Sequence, residues 1–172
     1  MAEKTPAPRP TPPSDIERNK KVMLAMLEAF NTGNTDIIPK LIHPEAQDNS
    51  SRPKMGGPEA PEAPNALSWS IQIEELIGAF PDGQYSVDTM VAEGDTVMLR
   101  WAFTGTQRGP LFGREATNKQ VTLYGYEIDR FQRGQIIDHT DDDSPVFHLL
   151  EQLGWMDEEM LRRLGLLKTA EG

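Results

Sequence analysis

The chain has 172 residues, enough for one domain to bury a core without staples. It contains no cysteine, which excludes disulfides, thiolate metal ligands and thiol nucleophiles. With 17 Lys and Arg against 27 Asp and Glu, the formal net charge is -10, and such a surface repels phosphate backbones and anionic membranes. Nucleic acid is therefore not expected as a partner. Nor is a membrane, since no segment approaches the roughly 18 apolar residues of a spanning helix. The N-terminal MAEKTPAPRPTPPSD lacks the apolar stretch of a signal peptide, so the expected location is cytoplasmic.

Residues 1–14 are proline-rich and nearly devoid of apolar side chains, which predicts a disordered tail. From Asp15 the pattern changes. Ser14 or Asp15 can cap a helix whose Val22, Met23, Met26, Leu27 and Phe30 recur at three- and four-residue spacing, and Asn31-Thr32-Gly33-Asn34 ends it. A second short helix is predicted over Asp36–Ile42, stopped by His43-Pro44. Residues 49–64, rich in Pro, Gly and Ser, predict a loop long enough to be a pocket lid. A third helix follows over Asn65–Phe80, broken by Pro81-Asp82-Gly83.

Strands are predicted next. Tyr85–Ala92 is the first, and Glu93-Gly94-Asp95 turns into Thr96–Thr106, where Val97, Leu99, Trp101 and Phe103 alternate with Met98, Arg100, Ala102 and Thr104. After a connection at 107–118, Gln120–Phe131 and Gln135–Asp141 are the last two strands. Ser144-Pro145 opens a helix to Leu153, Gly154 ends it, and Asp157–Leu167 is one more short amphipathic helix. Helices, then a meander of antiparallel strands, then a closing helix make an α+β fold: a curved sheet with helices on one face enclosing a pocket. The main domain is expected over 15–155, and residues 156–172 form a C-terminal helix and tail.

Five stretches, in order, carry a family resemblance: LEAFNTGNTD at 27–36, LIHPEA at 41–46, AFPDGQYSV at 79–87, AEGDTVMLRWAFTGTQRGPLFGREATNK at 92–119, and DHTDDD with LLEQLGW between 138 and 155. Over residues 16–155 the chain resembles the SnoaL-like polyketide cyclases, a branch of the nuclear transport factor 2 and ketosteroid isomerase superfamily. The resemblance implies a cone-shaped fold, a small hydrophobic substrate, and a homodimer formed through the sheet's other face. It also implies an aspartate acid/base near the end of the last strand, which matches Asp141. The chain departs from the family pattern at Glu127, where those cyclases carry His, at Gly125, where they carry Gln, and at Phe30, where they carry Tyr.

In the last hairpin, loop length decides which side chains share a face. A three-residue Gln132-Arg133-Gly134 loop pairs Phe131 with Gln135, Glu127 with His139 and Gly125 with Asp141, and puts Glu127, His139 and Asp141 on one face. A two-residue loop at Arg133-Gly134 instead sets Glu127 beside Thr140 and Asp142. The former is the preferred reading, and Asp141, Glu127 and His139 are the candidate catalytic residues. Burial and a second carboxylate both raise a carboxyl's pKa toward working pH, so such a group can take a proton alpha to a carbonyl and return it to the new alkoxide. That chemistry requires no metal and no cofactor.

Other readings accompany each residue. Glu127 could instead pair with Arg100 on the neighbouring strand, and Asp142 and Asp143 suit exposed or capping roles better than a metal site. Asp48 and Asn49 lie where the family's first loop enters the pocket. Phe30, Trp69, Phe80, Trp101 and Phe112 are expected in the core or cavity wall, Trp155 over the mouth, and His43 in a structural place. The leading function is a cofactor-independent cyclase or isomerase on a polyketide-like carbonyl compound. The alternatives are an epoxide hydrolase, with Glu127 and Asp141 activating water and Arg100 orienting a carboxylate, and a non-catalytic small-molecule-binding domain.

Overall fold

The computed structural model describes residues 13–49, 66–142 and 144–163. Residues 1–12 of the expected tail, most of the loop at 49–64, Asp143 and residues 164–172 lie outside the described residues, while Pro13 and Ser14, expected in the tail, begin the first helix. Helix α1 spans Pro13–Thr32 and buries Asn19, Val22, Met23 and Phe30 along one face. A short 3-10 turn, Thr35–Ile37, runs into the single turn of α2, Ile38–Leu41, with Pro39 where its missing N–H costs nothing. The expected helix over Asp36–Ile42 is thus split.

The next segment corrects the sequence reading. Ile42–Asp48, with the supposed stop at His43-Pro44, is a strand, β1. It lies at the sheet edge and pairs parallel with the last strand, Ile42 opposite Ile136 and Asp48 opposite His139. Pro44 sits in the irregularity between those anchors, the kind of edge position that tolerates a missing donor. The sheet is therefore mixed rather than wholly antiparallel. Helix α3 is Ala66–Ala79. Strands β2 (Gln84–Glu93), β3 (Thr96–Thr106), β4 (Gln120–Gln132) and β5 (Gln135–Asp141) follow, in the spatial order β1-β5-β4-β3-β2. Helix α4 is Ser144–Leu153, and α5 is Glu158–Arg163. None of the described helices is long and apolar enough to cross a membrane.

Alternation on β3 and β4 divides the molecule. Val97, Leu99, Trp101 and Phe103 of β3 and Val121, Leu123 and Phe131 of β4 are buried under the helices, while Met98, Arg100, Tyr124, Tyr126 and Ile128 face outward. Asn31 ties α1 to the free edge of the sheet by acting as a backbone surrogate. Its Oδ1 accepts from the Tyr85 N–H at 2.7 Å and its Nδ2 donates to the Tyr85 carbonyl at 2.9 Å. The 107–118 connection is pinned from inside by Gln107, which is fully buried. Its Nε2 donates to the Gly109 carbonyl at 2.6 Å and its Oε1 accepts from the Thr117 N–H at 2.5 Å. Trp155 is buried in the core near Leu150 and Leu153.

The β4–β5 hairpin has neither expected register. Arg133 and Gly134 both have positive φ, 55° and 82°, as a two-residue turn of the primed type requires. Gln132 therefore faces Gln135 and Phe131 faces Ile136, but Arg130 then faces Asp138 because Ile137 bulges out of the ladder. The extra residue restores the parity that a two-residue turn alone would lose. Glu127 lands opposite Asp141 and Asp129 opposite His139.

Inward on β4, Gly125 lies beneath the Trp101 indole. A Cβ there would come within 2.4 Å of Trp101 Cζ2 and 2.9 Å of Pro145 Cγ, whereas one at Gly78 would meet nothing within 4 Å. Gly125→Ala is expected to destabilise the fold by about 1–3 kcal/mol, as overpacking does, while Gly78→Ala leaves stability equal or slightly raised. Urea unfolding of the two variants checks the contrast, and equal midpoints would refute it.

Candidate functional site

A cavity of about 200 Å³ lies between the helices and the inner face of the sheet. Its wall is apolar. Met26, Leu27 and Phe30 come from α1, Ile73 and Leu76 from α3, and Val146 and Leu149 from α4. The sheet adds an aromatic cluster in edge-to-face contact: the Tyr85 ring lies 4.7 Å from Phe30 and 5.2 Å from Trp101. Phe112 completes the wall from the Gln107-pinned connection, with a backbone φ of 50°.

At the opposite end the lining turns acidic. Glu127 and Asp129 project from successive inward positions of β4, His139 and Asp141 from β5, and Asp142 from the turn into α4. His139 is the centre of this group. Its Nδ1 is 2.6 Å from Asp129 Oδ1 and its Nε2 is 3.5 Å from Asp141 Oδ2, and the three side chains are only 6%, 2% and 9% exposed. Burial alone pushes an imidazole toward neutrality, but the Asp129 and Asp141 carboxylates outweigh it and hold the His139 pKa well above its ordinary value. Burial raises the Asp129 carboxyl, against the pull of His139 and with further push from Asp141 and Asp48. With a carboxyl group on each side of the ring, the geometry favours the charged form of His139.

Ligand atoms of Glu127, His139 and Asp141 all lie within 4.8 Å of one another, a spacing a divalent cation could bridge. Such an ion must first displace a proton from His139 that two carboxylates retain. Asp142 takes a capping part: its carboxylate accepts from the Ser144 N–H at 2.9 Å and from Ser144 Oγ at 2.8 Å.

The expected residues divide clearly. Glu127, His139, Asp141, Phe30, Trp101 and Phe112 converge on the cavity. Arg100 does not: it lies on the outer face, paired with Asp88 and stacked 5.9 Å over the Tyr124 ring. Neither an Arg100–Glu127 ion pair nor an Arg100 in the pocket is therefore possible, because odd and even positions of β3 face opposite ways. Asn49 is exposed and binds the outward Asp138 at 2.7 Å, its own N–H donating to the His139 carbonyl. Asp48 flanks His139 on β1 but is not among the residues lining the cavity. Phe80 is core, edge-to-face with Phe103 at 5.4 Å and behind the wall. Trp69 belongs to α3, but its side chain lies outside the described residues. His43 keeps a local role, its Nδ1 accepting from the Glu45 N–H.

Asp129 is the residue that sequence reasoning missed. Its signal was present: it shares the parity of Glu127 on the same strand, and an inward acid between Gly125 and Phe131 needs a partner.

Residues 20–144 match the sequence profile of the SnoaL-like polyketide cyclases. The chain is 32% identical over 120 residues to the aklanonic acid methyl ester cyclase DnrD of Streptomyces peucetius, covering 67% of this chain and 77% of that one. It is 31% identical over 122 residues to the aklanonic acid methyl ester cyclase DauD of Streptomyces sp. (strain C5), covering 67% and 70%. Among solved structures, TsrD from Streptomyces laurentii superposes with a TM-score of 0.69 at 23% identity, over 81% of this chain and 97% of its own, a likeness of fold.

The raised His139 pKa predicts how stability depends on pH. A folded pKa above the unfolded value of about 6.5 contributes stability that is full below that pH and is lost as pH rises through the folded value. Wild type is expected to lose stability progressively above about pH 6.5. The double variant Asp129→Asn/His139→Gln, which keeps an amide pair without titrating groups, is expected to lose less in that window. Thermal unfolding from pH 6 to 10 measures both, and parallel curves would overturn the assignment.

Proposed function

Because the chain belongs to the SnoaL-like polyketide cyclase family, we propose that its cavity folds a hydrophobic polyketide-like carbonyl compound and closes a ring in it by an intramolecular aldol-type step, without a cofactor, using Asp141 as acid and base. The observation that carries this reading is the position of Asp141, a carboxylate 9% exposed at the acidic end of an otherwise apolar cavity. Asp141 takes a proton alpha to one carbonyl, and the resulting enolate carbon attacks a second carbonyl of the same molecule. Asp141 then returns the proton to the new alkoxide, so the product is an isomer of the substrate. The aromatic and aliphatic wall contributes by holding the two reacting carbons close, which converts flexibility into effective molarity.

Glu127 faces Asp141 across the β4–β5 ladder and supports the same role by placing a second acidic group at the reacting end. The epoxide-opening alternative needed Arg100 in the cavity and falls with its outward placement. A non-catalytic binding domain is disfavoured by the open cavity and by the buried, charge-coupled residues at its end.

Asp141→Asn is expected to lower kcat by about 10²–10⁴-fold, the range of a lost general acid/base, with the fold and binding retained. Turnover of aklanonic acid methyl ester, the compound in the names of the two curated relatives, and solvent deuterium exchange into a hydrophobic β-keto ester both report it. Quenching of tryptophan fluorescence reports binding, since Trp101 lines the cavity. Full exchange and turnover in the variant would reject the assignment.

We further read the protein as a cytoplasmic homodimer associated through the outer sheet face. Val91 and Tyr124 there are each 55% exposed and Tyr126 is 45% exposed, an unusual apolar concentration on so acidic a chain. Two ion pairs on the same face, Arg100 with Asp88 and Arg130 with Asp138, cancel their own charge, so two copies meet there with less repulsion than elsewhere on so acidic a chain. Light scattering is expected to give a dimer for wild type and a monomer for Tyr126→Glu; a wild-type monomer, or a dimer in both, would exclude this face.

A further inference from the structure

We infer that Asp129 is a positioning residue that fixes His139 with its Nε2–H turned into the cavity, making His139 the donor to the oxygen on which negative charge develops while Asp141 carries the proton. This rests on the cyclase reading above and assigns the electrophilic half of the same step.

Three observations carry it. Asp129 is 2% exposed, sits directly opposite His139 in the β4–β5 ladder, and holds Nδ1 at 2.6 Å. The carboxyl groups beside His139 favour its protonated form, in which Nδ1 donates to Asp129, and that short contact sets the ring orientation. Nε2 then faces Asp141 at 3.5 Å, longer than a strong charge-assisted bond, so a substrate oxygen brought alongside can take that hydrogen bond.

The third observation is electrostatic. The groups facing His139 are Glu127 and Asp129 from β4, Asp141 and Asp142 from β5 and the turn beyond it, and Asp48 from the neighbouring β1. The lining contributed by α1, α3 and α4 is apolar, and among the described residues no Lys or Arg lines the cavity. Ring closure produces an oxyanion first as the enolate and then as the alkoxide. Besides carboxyls, the described residues lining the cavity offer only the neutral donors Tyr85 and Trp101, so the His139 imidazolium is the cationic group able to meet that charge. The electron pair of the C–H bond moves into the carbonyl, the oxygen accepts from Nε2–H, and the proton resides on Asp141 until it returns to the alkoxide. Nothing else is consumed.

The test joins spectroscopy to kinetics on the full chain. Nitrogen-15 NMR of the wild-type imidazoles is expected to show His139 protonated at both nitrogens at pH 7. In Asp129→Asn the His139 titration is expected to move to lower pH, because the neutral amide no longer favours the imidazolium. The alkaline limb of kcat/KM should move the same way, with kcat down about 10²-fold, the loss typical of one oxyanion donor, and KM nearly unchanged. His139→Gln, which keeps an amide donor, should retain more activity than His139→Leu. A wild-type spectrum with Nε2 unprotonated at pH 7 overturns the inference even if no Asp129 variant folds. So does an Asp129→Asn enzyme with an unchanged alkaline limb. If Asp141→Asn stays fully active while the wild-type spectrum is as expected, the cyclase reading fails and with it His139's part in turnover, but the fixed ring orientation stands.

Discussion

An imidazole and a carboxylate buried side by side on neighbouring strands must compensate each other, and the centre of this sheet is built around that requirement. Removing one partner would leave an uncompensated buried charge, a loss of about 3–5 kcal/mol, so the Asp129–His139 bond and the β4–β5 register depend on each other. A second pair enforces the same alignment from outside. Arg130 and Asp138, the adjacent partners in the ladder, pair on the exposed face, where Asn49 adds a hydrogen bond from the end of β1. Successive rungs thus carry an outward ion pair and an inward one. A slip by one residue would bury the first and expose the second, which makes the wrong register costly on both faces.

The bulge at Ile137 explains why the site was readable in the sequence while the hairpin was not. The turn Arg133-Gly134 is two residues long, which by itself would have turned His139 and Asp141 away from the side of Glu127. One extra residue in β5 reverses the parity again. A bulge has no sequence signature as sharp as that of a turn, because Ile137 would also suit a regular strand. The convergence of Glu127, His139 and Asp141 was therefore expected by a route whose individual pairings were incorrect.

Elsewhere the legibility follows how local the determinant is. The bounds of β3, β5 and α4 coincide with expectation, since period-two alternation and a Ser-Pro start are properties of adjacent residues. β1 was hidden by Pro44, which reads as a break until the strand is known to lie at an edge with a register irregularity. Arg100 was misplaced although the alternation along β3 was legible: it stands at an even position of a strand whose odd positions are buried. The Gln107 clamp was invisible because its partners, Gly109 and Thr117, become meaningful only once the connection is folded back on itself.

The cavity separates two tasks onto two sets of elements. The helices, β2, β3 and the 107–118 connection supply the wall, where Phe30, Tyr85 and Trp101 fix one another through edge-to-face contacts. Strands β4 and β5 supply every charged group in the lining except Asp142, which follows β5 at the start of α4. Changing a wall residue alters which folded chain of carbons fits, without touching the ladder that sets the protons. That division sorts three of the residues singled out in the sequence. Phe30 lies in the wall, and Gly125 gives up a side chain so that the Trp101 indole can occupy its space. Glu127 is the exception. It lies at the acidic end, opposite Asp141, so of the three it alone reaches the proposed reacting groups as well as the shape of the space around them.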